Sequence, residues 1–201
     1  MTAPISSDSL KQLIQNRRTC YQYADITDSP ISDESIYECL EAARWAPNHK
    51  LTQPWRFWII GEQTKTEIAQ IYADNRALKK ADESSDLYQA LYSKAVKKFL
   101  AIPKVVLVGQ VLNEDPIICK EDYAACACAI QNFQLMACSL QLGVQWSTGP
   151  IINDERTMNK LKLDSKKVNL IGALYIGYQK PDCQNPSSKR HPLETFITHM
   201  D

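Results

Sequence analysis

Glycine is scarce. The 201-residue chain has six, at positions 61, 109, 143, 149, 172 and 177, and no two stand one residue apart. A G-x-G-x-x-G dinucleotide fingerprint is therefore excluded; no two glycines have the spacing of a G-x-S-x-G nucleophile elbow, and Gly172 and Gly177 are followed by Tyr178 rather than the lysine of a P-loop. Histidine is scarcer still: His49, His191 and His199, with no H-E-x-x-H spacing. The seven cysteines contain no C-x-x-C pair. Their number is odd and several lie in apolar helical sequence, so they read as buried reduced thiols rather than a disulfide or metal framework. No excess of either charge exists, because 23 Lys and Arg balance 23 Asp and Glu. Such a chain is a poor general binder of nucleic acid or of a membrane surface, yet a local cluster can still hold a small anion. No apolar run approaches the roughly 18 residues of a membrane span, and the opening MTAPISSDSLKQLIQ lacks the apolar stretch of a signal peptide. The expectation is a soluble cytoplasmic protein without a metal.

What is present is ordinary globular material: 44 % hydrophobic and 23 % charged residues, enough for one domain at roughly 150 residues per domain. Leu10, Leu13 and Ile14 form one face of a helix over 8–18. Ser32, followed by Asp33 and Glu34, reads as a second helix start, with acid groups at the positive end of the helix dipole. The segment 55–60 (WRFWII) is aromatic and β-branched, hence a strand. Thr64 and Glu67 have the spacing of a capping box opening a short helix toward Tyr72. Residues 74–85 read as an exposed connection and 87–99 as a helix. The apolar runs 104–112 and 168–178 suit buried strands. Residues 123–142 form the longest apolar helical stretch, with Gly143 in place to end it. A short extended piece at 144–146 and a helix at 153–161 complete the body. This order predicts an α+β fold, an α/β sandwich with few strands. Residues from about 179 to 201 are rich in Pro, Ser and charge, and read as a surface arm that needs something to lie on.

Three stretches could carry chemistry. Arg17, Arg18 and Thr19 can surround a phosphate with charge-assisted hydrogen bonds, although a helix C-terminus also simply favours arginine. Residues 46–55 (APNHKLTQPW) hold amide, imidazole, ammonium and hydroxyl groups between Pro47 and Pro54. The prolines limit the freedom of a loop that could meet a heterocycle, or the segment is a solvated turn before a strand. Residues 143–150 (GVQWSTGP) combine an aromatic with small hydroxyls, or form a plain connection around a core tryptophan.

In this order and at these separations the stretches resemble the nitroreductase-like family of flavin-mononucleotide (FMN) enzymes. The likeness runs through 16–19 (NRRT), where Thr19 stands for the more usual serine, then 40–47 (LEAARWAP), 53–57 (QPWRF), 140–146 and 171–178 (IGALYIGY). The P-N-H-K segment is similar to the small, YdjA-type branch. Residues 73–96 match weakly, in the region that sets substrate access.

The resemblance implies a nitroreductase-like fold over 1–201: a central mixed, mainly antiparallel sheet flanked by helices, in an intertwined homodimer with FMN at the subunit interface. It implies that Arg17, Arg18 and Thr19 hold the FMN phosphate and ribityl chain. His49 and Gln53 would reach the same cofactor from the other subunit. Trp146, Ser147 and Thr148 would line the ring, and Lys189 and Arg190 in the arm would assist at the phosphate. The activity implied is an oxidoreductase that takes hydride from NAD(P)H and passes it to a small electron-poor acceptor, a nitroaromatic, quinone or enone. The cofactor carries the reaction, so no side chain is assigned a catalytic role. A flavin-binding protein with little turnover, or a specialised flavin dehydrogenase or dehalogenase, is the alternative.

Overall fold

The computed structural model describes residues 5–25, 27–28, 30–183 and 188–200. Its centre is a four-stranded sheet built from β1 (Trp55–Ile59), β2 (Lys104–Val111), β3 (Leu142–Ser147) and β4 (Val168–Tyr178), in the order β1-β2-β4-β3. All three pairings are antiparallel. The expected mixed character survives only as an isolated parallel bridge between Thr19 and Val144.

Helices cover both faces, which explains why β2 and β4 read as continuous apolar runs. Val106 and Val108 of β2 pack on one side with α2 (Asp33–Arg44) and α5 (Pro116–Ser139), around Cys39, Ile130 and Phe133. Val105 and Leu107 point the other way, toward α3 (Glu62–Ala77), α4 (Asp86–Leu100) and α6 (Glu155–Lys160), with Ile68, Phe99 and Met158. Along β4 the strict alternation breaks once. Val108 pairs with Gly172 and Gly109 with Leu170, so Ile171 has no partner on β2. This bulge turns Ile171 to the α5 face while Ala173 packs on the α3 face.

Several boundaries differ from the sequence expectations for physical reasons. α3 begins at Glu62, just after Gly61, so Thr64 and Glu67 lie inside it rather than capping it. It runs on to Ala77 because Ala73 and Ala77 are buried, which shortens the expected exposed connection. α5 starts at Pro116, seven residues before Tyr123, because the Asp115 side chain accepts from the Ile117 N–H at 2.8 Å and proline suits the first helical turn. The left-handed residue that ends α5 is Gln141 (φ 62°), not Gly143. Gly143 is instead a strand residue. A Cβ there would lie 2.5 Å from the Cβ of Cys20, whose N–H donates to the Val144 carbonyl at 3.2 Å. Of the seven thiols Cys20, Cys39 and Cys126 are buried, whereas Cys128 is exposed. Burial pushes the Cys39 and Cys126 thiols up to about 12.

α1 (Ser7–Asn16) is capped by Ser6, whose Oγ accepts from the Ser9 N–H at 3.1 Å. Its apolar face buries no residue within the chain, leaving Leu10 and Ile14 exposed. The arm starts half-buried, with Gln179 bridging Tyr23, whereas residues 188–200 are exposed throughout, with Leu193 and Phe196 carried on a short 3-10 turn. No helix among the described residues is long and apolar enough to cross a membrane.

Candidate functional site

α1 ends by delivering two guanidinium groups to the foot of the sheet. Arg17 follows the last helical residue, and its Nη1 donates to the Oε1 of Gln134 on α5 at 3.3 Å. Arg18 Nη1 donates to the carbonyls of Gln15 and, at 2.9 Å, of Arg17. Neither arginine has a carboxylate partner among the described residues. Each therefore keeps most of its five N–H donors and a full uncompensated charge. Beside them lies a cavity of about 110 Å³ that reaches Gln134, Cys138 and Gly143. Burial raises the Cys138 thiol, while Arg17 and Arg18 pull it back. Burial likewise raises Cys20, whose Sγ donates to the Gln22 carbonyl at 3.2 Å. Both sulfurs are thus neutral at ordinary pH and add no negative charge to the cavity.

β3 joins this cationic end to the second stretch. Thr19 bridges Val144, and Trp146 stands two residues further along the same strand, roughly 7 Å away at the usual strand rise. The Trp146 Nε1 donates at 3.3 Å to the carbonyl of Ile171, the bulged residue that lacks a β2 partner. The indole lies against Gly172, where a Cβ would come within 2.2 Å of Nε1. Only glycine admits the ring at that position. Ser147 ends β3, its Oγ accepting from the Gly149 N–H at 3.3 Å, and Thr148 follows, exposed. Arg17, Arg18 and Thr19 thus share one strand edge with Trp146, Ser147 and Thr148, as an elongated ligand with an anionic end requires.

The proline-bracketed loop sits elsewhere in the same chain. His49 Nδ1 is 2.7 Å from the Oε2 of Glu121, and Thr52 Oγ1 donates to Oδ1 of the buried Asp122 at 2.6 Å. The Gln53 N–H donates to Asn48 Oδ1 at 2.9 Å. Lys50, Leu51 and Gln53 all have positive φ (53°, 54° and 44°), a strained stretch held by these side-chain anchors. Both anchors and Gln134 are on α5. Thirteen residues separate Glu121 from Gln134, about 20 Å along the helix at 1.5 Å per residue. A single chain therefore does not unite His49 and Gln53 with the arginine pair. Lys189 and Arg190 are both exposed, neither lines the cavity beside Arg17 and Arg18, and among the described residues Arg190 donates to the Lys189 carbonyl at 3.1 Å.

Sequence reasoning missed Gln134, Glu121 and Asp122, which orient the predicted groups. Gln134 and Asp122 are polar residues in the apolar stripe of α5. A buried polar group needs a partner, and that was the readable signal.

The family model described as "Nitroreductase family" matches residues 14–178. YfhC of Bacillus subtilis (strain 168), a candidate NAD(P)H nitroreductase, is 27 % identical over 192 residues, covering 95 % of this chain and 94 % of its own length. A nitroreductase-like family protein from Bacillus cereus superposes with a TM-score of 0.80 at 26 % identity, covering 100 % of this chain and 99 % of its own. A candidate nitroreductase from Desulfovibrio desulfuricans, solved in complex with FMN, gives a TM-score of 0.71 at 27 % identity over 98 % of this chain and 99 % of its own.

Proposed function

The chain belongs to the nitroreductase family, and from that premise we propose that it is an FMN-dependent oxidoreductase working as a homodimer. The carrying observation is the uncompensated Arg17–Arg18 pair at one end of a strand edge whose other end is Trp146–Thr148. The donor set fits FMN. Two guanidinium groups and the Thr19 hydroxyl suit a phosphate carrying nearly two charges, held by side chains without a glycine-rich loop. The FMN-bound Desulfovibrio relative and the NAD(P)H in the name of the Bacillus subtilis relative support the pairing of this cofactor with a nicotinamide. The flavin, when bound, supplies the two-electron chemistry, taking hydride from NAD(P)H and giving it to a small electron-poor acceptor.

The chain's own residues bind, orient and exclude water. Arg17, steadied by Gln134, anchors the phosphate, and Arg18 adds the second charge. Trp146, fixed by the Ile171 carbonyl, forms a rigid wall, and Ser147 and Thr148 line the ring's edge. His49 and Gln53 reach this site from the second subunit, because about 20 Å of α5 separates their anchors from Gln134 within one chain. An α1 face with no buried residue, Ile117 and Tyr123 exposed on α5, and an exposed arm bearing Leu193 and Phe196 supply apolar surface for the partner. Lys189 and Arg190 on that arm complete the phosphate site from across the dimer.

Purified protein incubated with FMN is expected to retain flavin absorbance. NADH or NADPH added anaerobically should bleach it, and a panel of nitroaromatics, quinones, enones and halogenated phenols should restore it selectively. Protein that stays colourless after FMN addition overturns the proposal. Flavin retained by a monomer at high dilution contradicts the shared site while leaving the cofactor intact.

A further inference from the structure

The end of α3 with the turn that follows it and one side of α4 confront each other with positive charge. Arg76 stands in the last turn of α3, Lys79 and Lys80 follow in the turn after it, and Lys94 and Lys98 are one turn apart on α4. These five cations surround a cleft of about 380 Å³ whose floor is Leu91, Ala95 and Pro150. No carboxylate lines it, and none of the five makes an ion pair among the described residues. Glu155 lines only the cleft next to this one, and two acidic groups of the neighbouring segments are engaged elsewhere. Asp74 accepts from Tyr88 and Arg156, while Asp154 accepts from Arg156 and Asn75. The guanidinium of Arg76 lies 5.3 Å from the ring centre of Tyr72 and makes no hydrogen bond among the described residues. In a chain of zero net charge, five unpaired cations facing one another across a cleft destabilise the protein alone and favour a multiply charged anion.

The cleft is also connected. Lys79 and Pro150 line an adjoining cleft that includes Thr148, Gly149 and Asn75. We propose that this basic bay binds the phosphate group of a substrate whose reacting end lies beside Thr148. The position of the reacting end rests on the flavin site proposed above; the binding of phosphate in the bay does not. A phosphate could enter on the reductant, as the 2′-phosphate that distinguishes NADPH from NADH, or on the acceptor. Both present the same dianion to the same lysines.

Calorimetry on FMN-saturated protein separates the sources, because saturation also fills the Arg17–Arg18 site. One pair of probes is adenosine 2′,5′-bisphosphate and 5′-AMP, which differ only in the 2′-phosphate. The other is 4-nitrophenyl phosphate and neutral 4-nitrobenzyl alcohol. The phosphate-bearing member of at least one pair should bind about ten-fold or more tightly than its partner, the scale of one charged hydrogen bond. That preference should vanish in the Lys79→Gln/Lys94→Gln/Lys98→Gln triple variant. Preference in the first pair identifies the reductant, and preference confined to the second identifies the acceptor. Absence of any phosphate preference, or a preference that survives in the triple variant, overturns the inference. The variant removes only exposed, mutually repelling charges, so its melting temperature should hold or rise. Should the protein take up no FMN, the same titrations in an Arg17→Gln/Arg18→Gln background, which closes the other cationic site, decide the question, and only the flavin reading falls.

Discussion

Arg17 and Gln134, 117 residues apart in sequence, meet through a 3.3 Å hydrogen bond that ties the end of α1 to the C-terminal third of α5. The amide is buried and accepts from the guanidinium, so the arginine is aimed without being neutralised. A carboxylate at the same place would cancel the charge that an anion needs.

Arg17→Ala is therefore expected to raise the FMN dissociation constant roughly 10- to 150-fold, the loss of about 1.5–3 kcal/mol from a charged hydrogen bond. Gln134→Leu should raise it less, because the charge stays and only its aim is lost. Quenching of flavin fluorescence measures both. Unchanged affinity in Arg17→Ala removes this residue from the phosphate site.

Strands β2 and β4 were legible because burial on both faces demands unbroken apolar runs. The three stretches stood out because their residue types are costly to collect by accident, and the fold places two of them, Arg17–Thr19 and Trp146–Thr148, on one strand edge. The anchors were not legible. Nothing local in Glu121 or Asp122 tells that they will meet His49 and Thr52, 72 and 70 residues away. Similarly, the Ile171 bulge arises from the register between β2 and β4, which no periodicity in either strand declares. The start of α5 was missed for a simpler reason: Asp115-Pro116 is a helix opening, but the polar Lys120–Asp122 run masks the apolar stripe that follows.

The strained loop depends on Thr52. Its hydroxyl is the donor to Asp122, a carboxylate only 4 % exposed. Thr52→Val keeps the shape and removes the donor, so it should cost about 1–3 kcal/mol of stability by stranding a buried acceptor. Urea unfolding midpoints test this, and Thr52→Ser should recover most of the loss. Equal midpoints for wild type and Thr52→Val would show that Asp122 does not hold the loop.

Gly172 is predicted to be intolerant of even one methyl group. A Cβ there would stand 2.2 Å from Trp146 Nε1 and 2.6 Å from its Cδ1, so the indole must leave its place and drop its bond to the Ile171 carbonyl. Overpacking of this kind costs typically 1–3 kcal/mol. Gly172→Ala should shift the near-ultraviolet circular dichroism of the tryptophans toward that of Trp146→Phe and lower the melting temperature. If Trp146 is the ring wall, FMN affinity should fall with it. A spectrum identical to wild type would mean that the ring does not rest on Gly172.

Asp154 links acid stability to the contact between α3 and α6. Hydrogen bonds from Arg156, with further help from Asn75, hold its carboxyl down to about 2, against an ordinary 3.8. A group whose folded value is depressed binds fewer protons folded than unfolded. Its stabilisation is therefore present above about pH 4 and lost as the pH falls through 3.8 toward 2. With its side chain 12 % exposed, the expected contribution at neutral pH is about 1–2 kcal/mol. Asp154→Asn should be less stable than wild type by that amount at pH 7, and the gap should close between pH 4 and pH 2. The asparagine cannot ionise, so a gap that stays constant over that range would assign the loss to altered packing around α6 rather than to the charge.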